Sequence, residues 1–136
     1  MKKEPKAKRM SRLKKKCHDA WSKVVRTRDG ACVRCGATKS LAAHHWIISA
    51  ARSLATRYDP INGCALCYGC HIHVIHKEAT WANAHFLMER MLKAIPVELI
   101  DSVIEMSGKE NKPHTESELE DILKDLEDMY EEMVRT

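Results

Sequence analysis

The sequence is poor in aromatic residues and contains no long apolar run. Phe, Trp and Tyr make up 5% of the 136 residues, so aromatic clusters should not dominate the core. No stretch reaches the roughly 18 consecutive apolar residues of a membrane span, which excludes a membrane-spanning helix. Because no apolar stretch follows the basic start of the chain, we expect no secretory signal peptide and a cytoplasmic location.

Cysteine and histidine, by contrast, are unusually frequent. The chain has six cysteines and eight histidines, and both residue types are standard zinc ligands. In a reducing cytosol cysteines are more often metal ligands than disulfide partners. With 44% hydrophobic and 31% charged residues, the chain is expected to fold as one domain with extensions rather than remain disordered.

Charge is distributed unevenly along the chain. Residues 1–34 carry thirteen Lys and Arg against three acidic residues, whereas residues 115–136 carry nine acidic residues against two basic ones. The basic end predicts DNA as a partner, because Lys and Arg beside phosphates release condensed counterions. The alternative is a solvated tail. The candidate DNA contacts here are Lys14, Lys15 and Lys16.

Turn and cap signals divide the chain into five parts. We predict a flexible basic arm (1–10), an N-terminal helix (11–29), a chemical core (30–78), supporting helices (79–110) and an acidic amphipathic helix (111–136). Ser11 is the predicted cap of the first helix, and Asp29-Gly30 is its predicted stop. The supporting helices are expected near 80–94 and 97–106, with Trp81 in the core.

The last segment has the pattern of an amphipathic helix. Thr115 and Glu118 fit a capping box, and the residues after them recur at helical spacing. This apolar face should pack on its own domain, and the alternative is a partner protein or a homodimer. Because its acidic residues would repel nucleic acid, the segment should lie away from DNA, pack on the basic segment or meet another subunit.

The cysteines form two C-x-x-C pairs. The first is Cys32 and Cys35, followed by a glycine. Downstream, three cysteines at three-residue spacing allow two overlapping pairs, of which we assign Cys67 and Cys70 because a glycine again adjoins a ligand. Four thiolates would close a tetrahedral structural zinc site with no open position. Cys64, like Cys17, is left as a buried or free thiol.

The histidines surround the second pair. His44 and His45 stand together in an apolar, strand-like run, and neighbours on a strand point to opposite faces. One of them can therefore bind metal while the other remains available as a base. Asn62 lies in a turn, and His71 directly follows the last paired cysteine at the start of a predicted short helix.

In this order and spacing, the motifs resemble the HNH endonucleases, which are also called ββα-metal or His-Me finger nucleases. The match covers residues 32–77, about a third of the chain, and residues 54–63 look most like small phage-type HNH proteins. The resemblance implies an α+β fold with a ββα-metal core, a four-cysteine structural zinc and several flanking α-helices. A phage-encoded chain would act in the host cell cytoplasm.

The resemblance also implies a role for each residue of the motif. His44 and His71 would bind one catalytic divalent ion, and His45 would be the general base that takes a proton from water. Asn62 would hold the loop that carries His45, or would sit near the metal. The activity implied is hydrolysis of DNA phosphodiester bonds, by nicking or double-strand cleavage, to leave a 5′-phosphate and a 3′-hydroxyl.

Some positions leave alternatives open. His44 stands where many relatives have Asp, which would shift metal preference toward nickel, zinc or manganese. Ile75 stands where some relatives have a further metal-binding histidine, so the ion would keep several waters, as magnesium or manganese does. Arg52 and Arg57 would clamp phosphates or remain solvated. The competing functions are a zinc-stapled nucleic-acid-binding module without catalysis and a subunit of a phage recombination or packaging complex.

Overall fold

The computed structural model describes residues 3–76, 81–109 and 111–135. Within these ranges the chain forms four α-helices, two strands and a short π-helix, which is called the site helix below. They are α1 (Lys6–Asp29), β1 (Leu41–His45), β2 (Gly63–Cys67), the site helix (Gly69–His76), α2 (Trp81–Leu92), α3 (Val97–Ser107) and α4 (Glu116–Arg135). The predicted boundary between 78 and 79 and the helix start expected at Thr80 lie outside the described residues.

The strands pair antiparallel in the described part of the chain and form a two-stranded sheet. A 3₁₀ turn at Pro60–Asn62 leads directly into β2. In the register, His44 faces Cys64 and His45 faces Gly63. The mixed helix-and-sheet class is therefore confirmed, and β1 contains the strand-like run predicted at His44 and His45. Because two strands alone are only marginally stable in water, the sheet depends on the elements packed against it.

Helix α1 begins five residues before the predicted start at Ser11. Pro5 precedes the first turn, and a proline there costs the helix no hydrogen bond. Arg9 also forms a two-point ion pair with Glu116 of α4, which holds this end in place. Residues 6–10 are therefore helical and do not belong to a flexible arm. The helix ends as predicted, where Gly30 has a left-handed φ of 69°.

Acidic α4 packs on basic α1. The contacts run in the same order along both helices, from Arg9 with Glu116 to Lys23 over the Tyr130 ring, so the helices lie parallel. Leu119 is fully buried in the cluster between them. Of the placements considered for the acidic segment, the structure shows packing on the basic segment. The capping box predicted for its start forms through reciprocal hydrogen bonds of Thr115 and Glu118.

A second cluster lies around β2, the site helix, α2 and α3. Leu66 is fully buried in it, together with Leu87, Met91 and Ile100 from the helices. Trp81 is 79% exposed, so its predicted place in the core is wrong. The reason is helical geometry, because α2 turns the side that carries Leu87 and Met91 inward and leaves Trp81 on another side. None of the helices within the described ranges combines the length and apolar composition of a membrane span.

The outer edge of β2 is covered by polar groups from the end of α1. The carboxylate of Asp29, which is nearly buried, accepts a hydrogen bond of 2.8 Å from the Ala65 N–H. Arg28 pairs with Asp29 and donates to the carbonyls of Pro60 and Gly63. These bonds satisfy backbone groups that an edge strand would otherwise expose. They also fix the end of α1 against the sheet.

Helix α1 packs tightly on β2 at Gly63. A Cβ atom on this glycine would lie 2.5 Å from Val25 Cγ2 and 2.8 Å from Trp21 Cζ2. Both neighbours are fully buried, so neither side chain has free space to move into. The position therefore needs glycine for close packing.

Replacing Gly63 by Ala should destabilise the fold by about 1–3 kcal/mol, because the added methyl overpacks the contact with α1. Urea or thermal unfolding of the variant measures the effect. Gly108→Ala is the matched control, since its Cβ would meet no atom nearer than the Glu105 carbonyl at 3.5 Å. Equal stability of the two variants would contradict this account of the α1–sheet contact.

Candidate functional site

Four cysteines from two parts of the chain converge beside the sheet. Cys32 and Cys35 lie in the loop after α1, while Cys67 ends β2 and Cys70 lies in the site helix. Their sulfur atoms all lie within 4.8 Å of one another, and those of Cys35 and Cys67 are 3.6 Å apart. Zinc bonds of about 2.3 Å in a tetrahedron place sulfur atoms about 3.8 Å apart. The cluster therefore has the donor set and size to hold a metal such as zinc.

Backbone N–H groups point at the sulfur atoms of both pairs. The amide of Cys35 lies 3.5 Å from Cys32 Sγ, and the amide of Cys70 lies 3.5 Å from Cys67 Sγ. Gly36 follows the first pair with φ 84°, a conformation that closes this turn and disfavours other residues. The Arg34 guanidinium donates to Cys70 Sγ at 3.6 Å. These donors stabilise negative charge on the sulfurs, as the surroundings of a metal site do.

The protonation of the thiols differs within the cluster. Burial raises the pKa of Cys32, but hydrogen bonds from the backbone of Cys35, Cys67 and Arg34 outweigh it and lower the pKa to about 6. At Cys70 burial dominates and raises the pKa to about 12. Without a metal, Cys32 therefore forms a thiolate readily. A bound divalent cation would compensate the negative charges that arise when the other thiols also lose their protons.

The other two cysteines lie apart from this cluster. Cys64 lies in β2, where it is fully buried, and burial raises the pKa of its thiol strongly. Cys17 packs between α1 and α4, where it donates to the Leu119 carbonyl at 3.2 Å, and burial raises its pKa to about 11. Both have the surroundings of small apolar core residues.

Adjacent histidines at the end of β1 point to opposite faces of the sheet. The ring of His44 lies on the face of the site helix, with its centroid 5.2 Å from that of His71. The ring of His45 lies on the face of α1, where it stacks on Trp21 at 4.1 Å with an interplanar angle of 13°. The structure thus brings His44 and His71 together and separates His45 from them, as strand alternation requires.

His45 has one ring nitrogen committed to the backbone. Its Nε2 lies 2.7 Å from the carbonyl oxygen of Arg57. Because a carbonyl only accepts hydrogen bonds, Nε2 carries the proton and Nδ1 keeps its lone pair. Burial lowers the pKa of His45 and outweighs the hydrogen bond to the Arg57 backbone, which raises it. The ring is therefore a neutral proton acceptor near pH 7.

Asn62 braces the segment that follows His45. Its side chain is fully buried, and its Oδ1 accepts from the N–H groups of Ile47 and Ile48 at 3.1 and 3.0 Å. Its Nδ2 donates to the carbonyls of Ile48 and Thr56 at 2.9 and 3.2 Å. This amide makes four hydrogen bonds in all, so it fixes both ends of the loop beside the histidines.

His44, His45 and His71 line a cavity of about 710 Å³. One wall of this cavity is the side of α1 that carries Lys14 and Lys15. Helix α1 contributes Lys14, Lys15, His18 and Ser22 to its wall. Sequence reasoning missed His18 and Ser22. Lys14, His18 and Ser22 follow one another at intervals of four residues, which places them on one face of the helix, but nothing in the sequence shows that this face meets the histidines.

The remaining predicted DNA contacts are placed differently. Lys16 lies in a separate groove between α1 and α4, away from the cavity. Arg57 borders the cavity, but its guanidinium donates to the Ala50 carbonyl at 3.2 and 2.8 Å, which holds the loop. Arg52 is exposed on that loop. Lys14 and Lys15 are thus the predicted lysines that the structure brings to the histidines.

Within the described part of the chain, the four cysteines are the one cluster of three or more His, Cys, Asp or Glu side chains close enough to hold a metal. An ion at His44 and His71 would therefore have two imidazole ligands and take the rest from water or substrate. Comparison of the chain with protein-family models, curated proteins and solved structures gives no match.

The cysteine cluster should bind one zinc ion per chain, and chelation should lower the unfolding temperature because the metal binds only the folded site. Elemental analysis of the purified protein and thermal unfolding with and without chelator measure both effects. Cys67→Ser should lose the zinc, whereas Cys64→Ala, three residues away, should retain it. Retention of zinc by Cys67→Ser would contradict the ligand assignment.

Proposed function

We propose that the protein is a metal-dependent endonuclease of the HNH type that hydrolyses DNA phosphodiester bonds. One observation carries this proposal: His44 and His71 meet on one face of the sheet, and both line the same cavity as His45, whose Nε2 is bonded to the Arg57 carbonyl. A metal-binding pair beside a neutral base is the arrangement that metal-assisted hydrolysis requires. The proposed core is a ββα-metal unit made of β1, β2 and the site helix, with zinc on the four cysteines.

We assign His44 and His71 as the ligands of one divalent ion. Their rings are 5.2 Å apart in a cavity with room for water and a phosphate group, which fits a hydrated magnesium or manganese ion. Nickel or zinc is the alternative, because imidazole suits both. When bound, the ion would polarise the scissile phosphate and stabilise charge on the leaving oxygen.

We assign His45 as the general base. Its Nδ1 would take the proton from the attacking water, and the resulting charge on the ring would remain stabilised by the hydrogen bond from Nε2 to the Arg57 carbonyl. Burial of the ring and the charge of Arg57 oppose its protonation at rest, which keeps the base available. Asn62 positions the loop through its four hydrogen bonds and does not touch the reacting atoms in this assignment.

The proposed path for DNA follows the distribution of charge. Lys14 and Lys15 border the cavity, so a phosphate backbone that reaches the histidines would pass these lysines. The opposite side of α1 is covered by α4, whose Glu127 and Glu131 line the groove with Lys16. These carboxylates would repel DNA there, so they favour approach from the cavity side.

His45→Ala should reduce plasmid nicking in magnesium or manganese by about 10²–10⁴-fold, because it removes the proposed base. The rate of conversion of supercoiled to nicked plasmid measures this effect. His85→Ala is the matched control, since this histidine is exposed on α2 outside the cavity and should leave the rate unchanged. A folded His45→Ala variant as fast as the parent would exclude His45 as the base.

Measuring DNA binding beside plasmid nicking separates the nuclease proposal from the alternative function. A zinc-stapled binding module would bind DNA without cleaving it, and its binding would survive replacement of His44, His45 and His71. The nuclease proposal requires instead that His44→Ala and His71→Ala lose the cleavage that added metal supports. Both variants should keep zinc on the cysteines.

Lys14→Ala and Lys15→Ala should each weaken DNA binding and reduce the slope of log affinity against log salt by about 1, because each removes one phosphate contact. Fluorescence anisotropy across a salt series measures the slope. Lys16→Ala is the control of identical chemistry on the α4 side of the helix and should leave the slope near that of the parent. Equal slopes for all three variants would contradict the proposed DNA path.

A further inference from the structure

We propose that Trp21 of α1 is a positioning residue for His45, an inference that rests on the proposed function. Trp21 lies outside the motif that carries the histidines and cysteines, about twenty residues before β1 in the chain. Its indole nevertheless forms the surface on which the His45 ring lies, with ring centroids 4.1 Å apart and planes inclined by 13°. The site would then be completed by the N-terminal helix.

The indole is itself held rigidly. Trp21 has no solvent-exposed surface, and its Nε1 donates a hydrogen bond of 2.8 Å to the carbonyl of Asp59. Its six-membered ring also packs on Gly63, where a Cβ would lie only 2.8 Å from Cζ2. Gly63 is the cross-strand partner of His45, so the absent side chain leaves the space through which Trp21 reaches the histidine.

Two contacts of different kinds then determine the orientation of His45. The hydrogen bond from Nε2 to the Arg57 carbonyl fixes one edge of the ring, but a single bond at one edge still allows the ring to tilt. Rotation of a histidine ring about its second side-chain torsion is soft, so this tilt costs little by itself. Stacking on Trp21 fixes the plane of the ring, and the two contacts together fix where the lone pair of Nδ1 points.

The direction of this lone pair decides whether a water in the cavity can be deprotonated. Proton transfer needs a heavy-atom separation of about 2.6–3.2 Å, and small displacements of a catalytic group cost large factors in rate. Loss of the indole surface should therefore act on the chemical step. It should not act on DNA binding, because Trp21 is fully buried and cannot touch DNA.

Steady-state nicking kinetics of three variants test the proposal. Trp21→Leu, which removes the aromatic surface, should lower kcat by about 100-fold with KM unchanged. Trp21→Phe keeps an aromatic face and should recover most of the rate. Leu126→Ala is the control, because it opens a cavity in the same cluster from α4 and should leave kcat near that of the parent. Where Trp21→Leu does not fold, Trp21→Met takes its place.

A spectroscopic measurement tests the stack without using activity. In the parent protein the His45 ring protons, assigned by comparison with His45→Ala, should be shifted upfield in the proton NMR spectrum by the indole ring current. Trp21→Leu should lose this shift, and Trp21→Phe should retain part of it. An unshifted His45 in the folded parent would overturn the proposal.

The combined outcomes keep the two proposals distinguishable. Unchanged kcat in a folded Trp21→Leu variant, or a loss that appears in KM alone, would overturn the positioning role while the nuclease assignment stands. A parent protein that cleaves no DNA with any divalent metal would remove the nuclease assignment. The ring-current shift in the parent would then still report whether Trp21 stacks on His45.

Discussion

The convergence of four sulfur atoms is the constraint on which the rest of the structure depends. The sheet is too short to hold itself together, and the cysteines join the loop after α1 to the junction of β2 and the site helix. Because His71 follows Cys70 directly, this junction also sets the place where His71 meets His44. A bound metal would therefore stabilise the fold and orient the proposed catalytic pair through the same contacts.

The alternation of side chains along β1 then places its two histidines on different faces, as their two proposed roles require. His44 lies on the face that carries the site helix, and His45 lies on the face that carries α1. Each face has its own buried cluster, so the two rings sit in different surroundings although they are neighbours in sequence. A metal ligand and a base need such a difference, because a base bound to the metal would have lost its lone pair.

The acidic helix α4 faces the basic helix α1 on only one side of α1. Helix α4 covers one side of α1 and pairs with it through Arg9 and Glu116, whereas Lys14 and Lys15 remain beside the cavity. The net charge of +4 therefore describes neither surface. A polyanion would meet lysines on the cavity side and carboxylates on the α4 side, which would orient its approach.

Local patterns in the sequence determined several secondary-structure elements and the pairing of the cysteines. The strand with His44 and His45, the end of α1, the capping box at Thr115 and the pairing of the cysteines follow from short-range spacing, because strand, cap and knuckle geometry each involve a few neighbouring residues. Tertiary structure alone placed Trp21, His18 and Gly63 around His45. These residues lie on α1 and β2, far apart in sequence, and one face of α1 packs on Gly63, which brings Trp21 against the His45 ring. The exposure of Trp81 and the separation of Lys16 from Lys14 have the same origin, since helical spacing defines faces but only packing selects which face is covered.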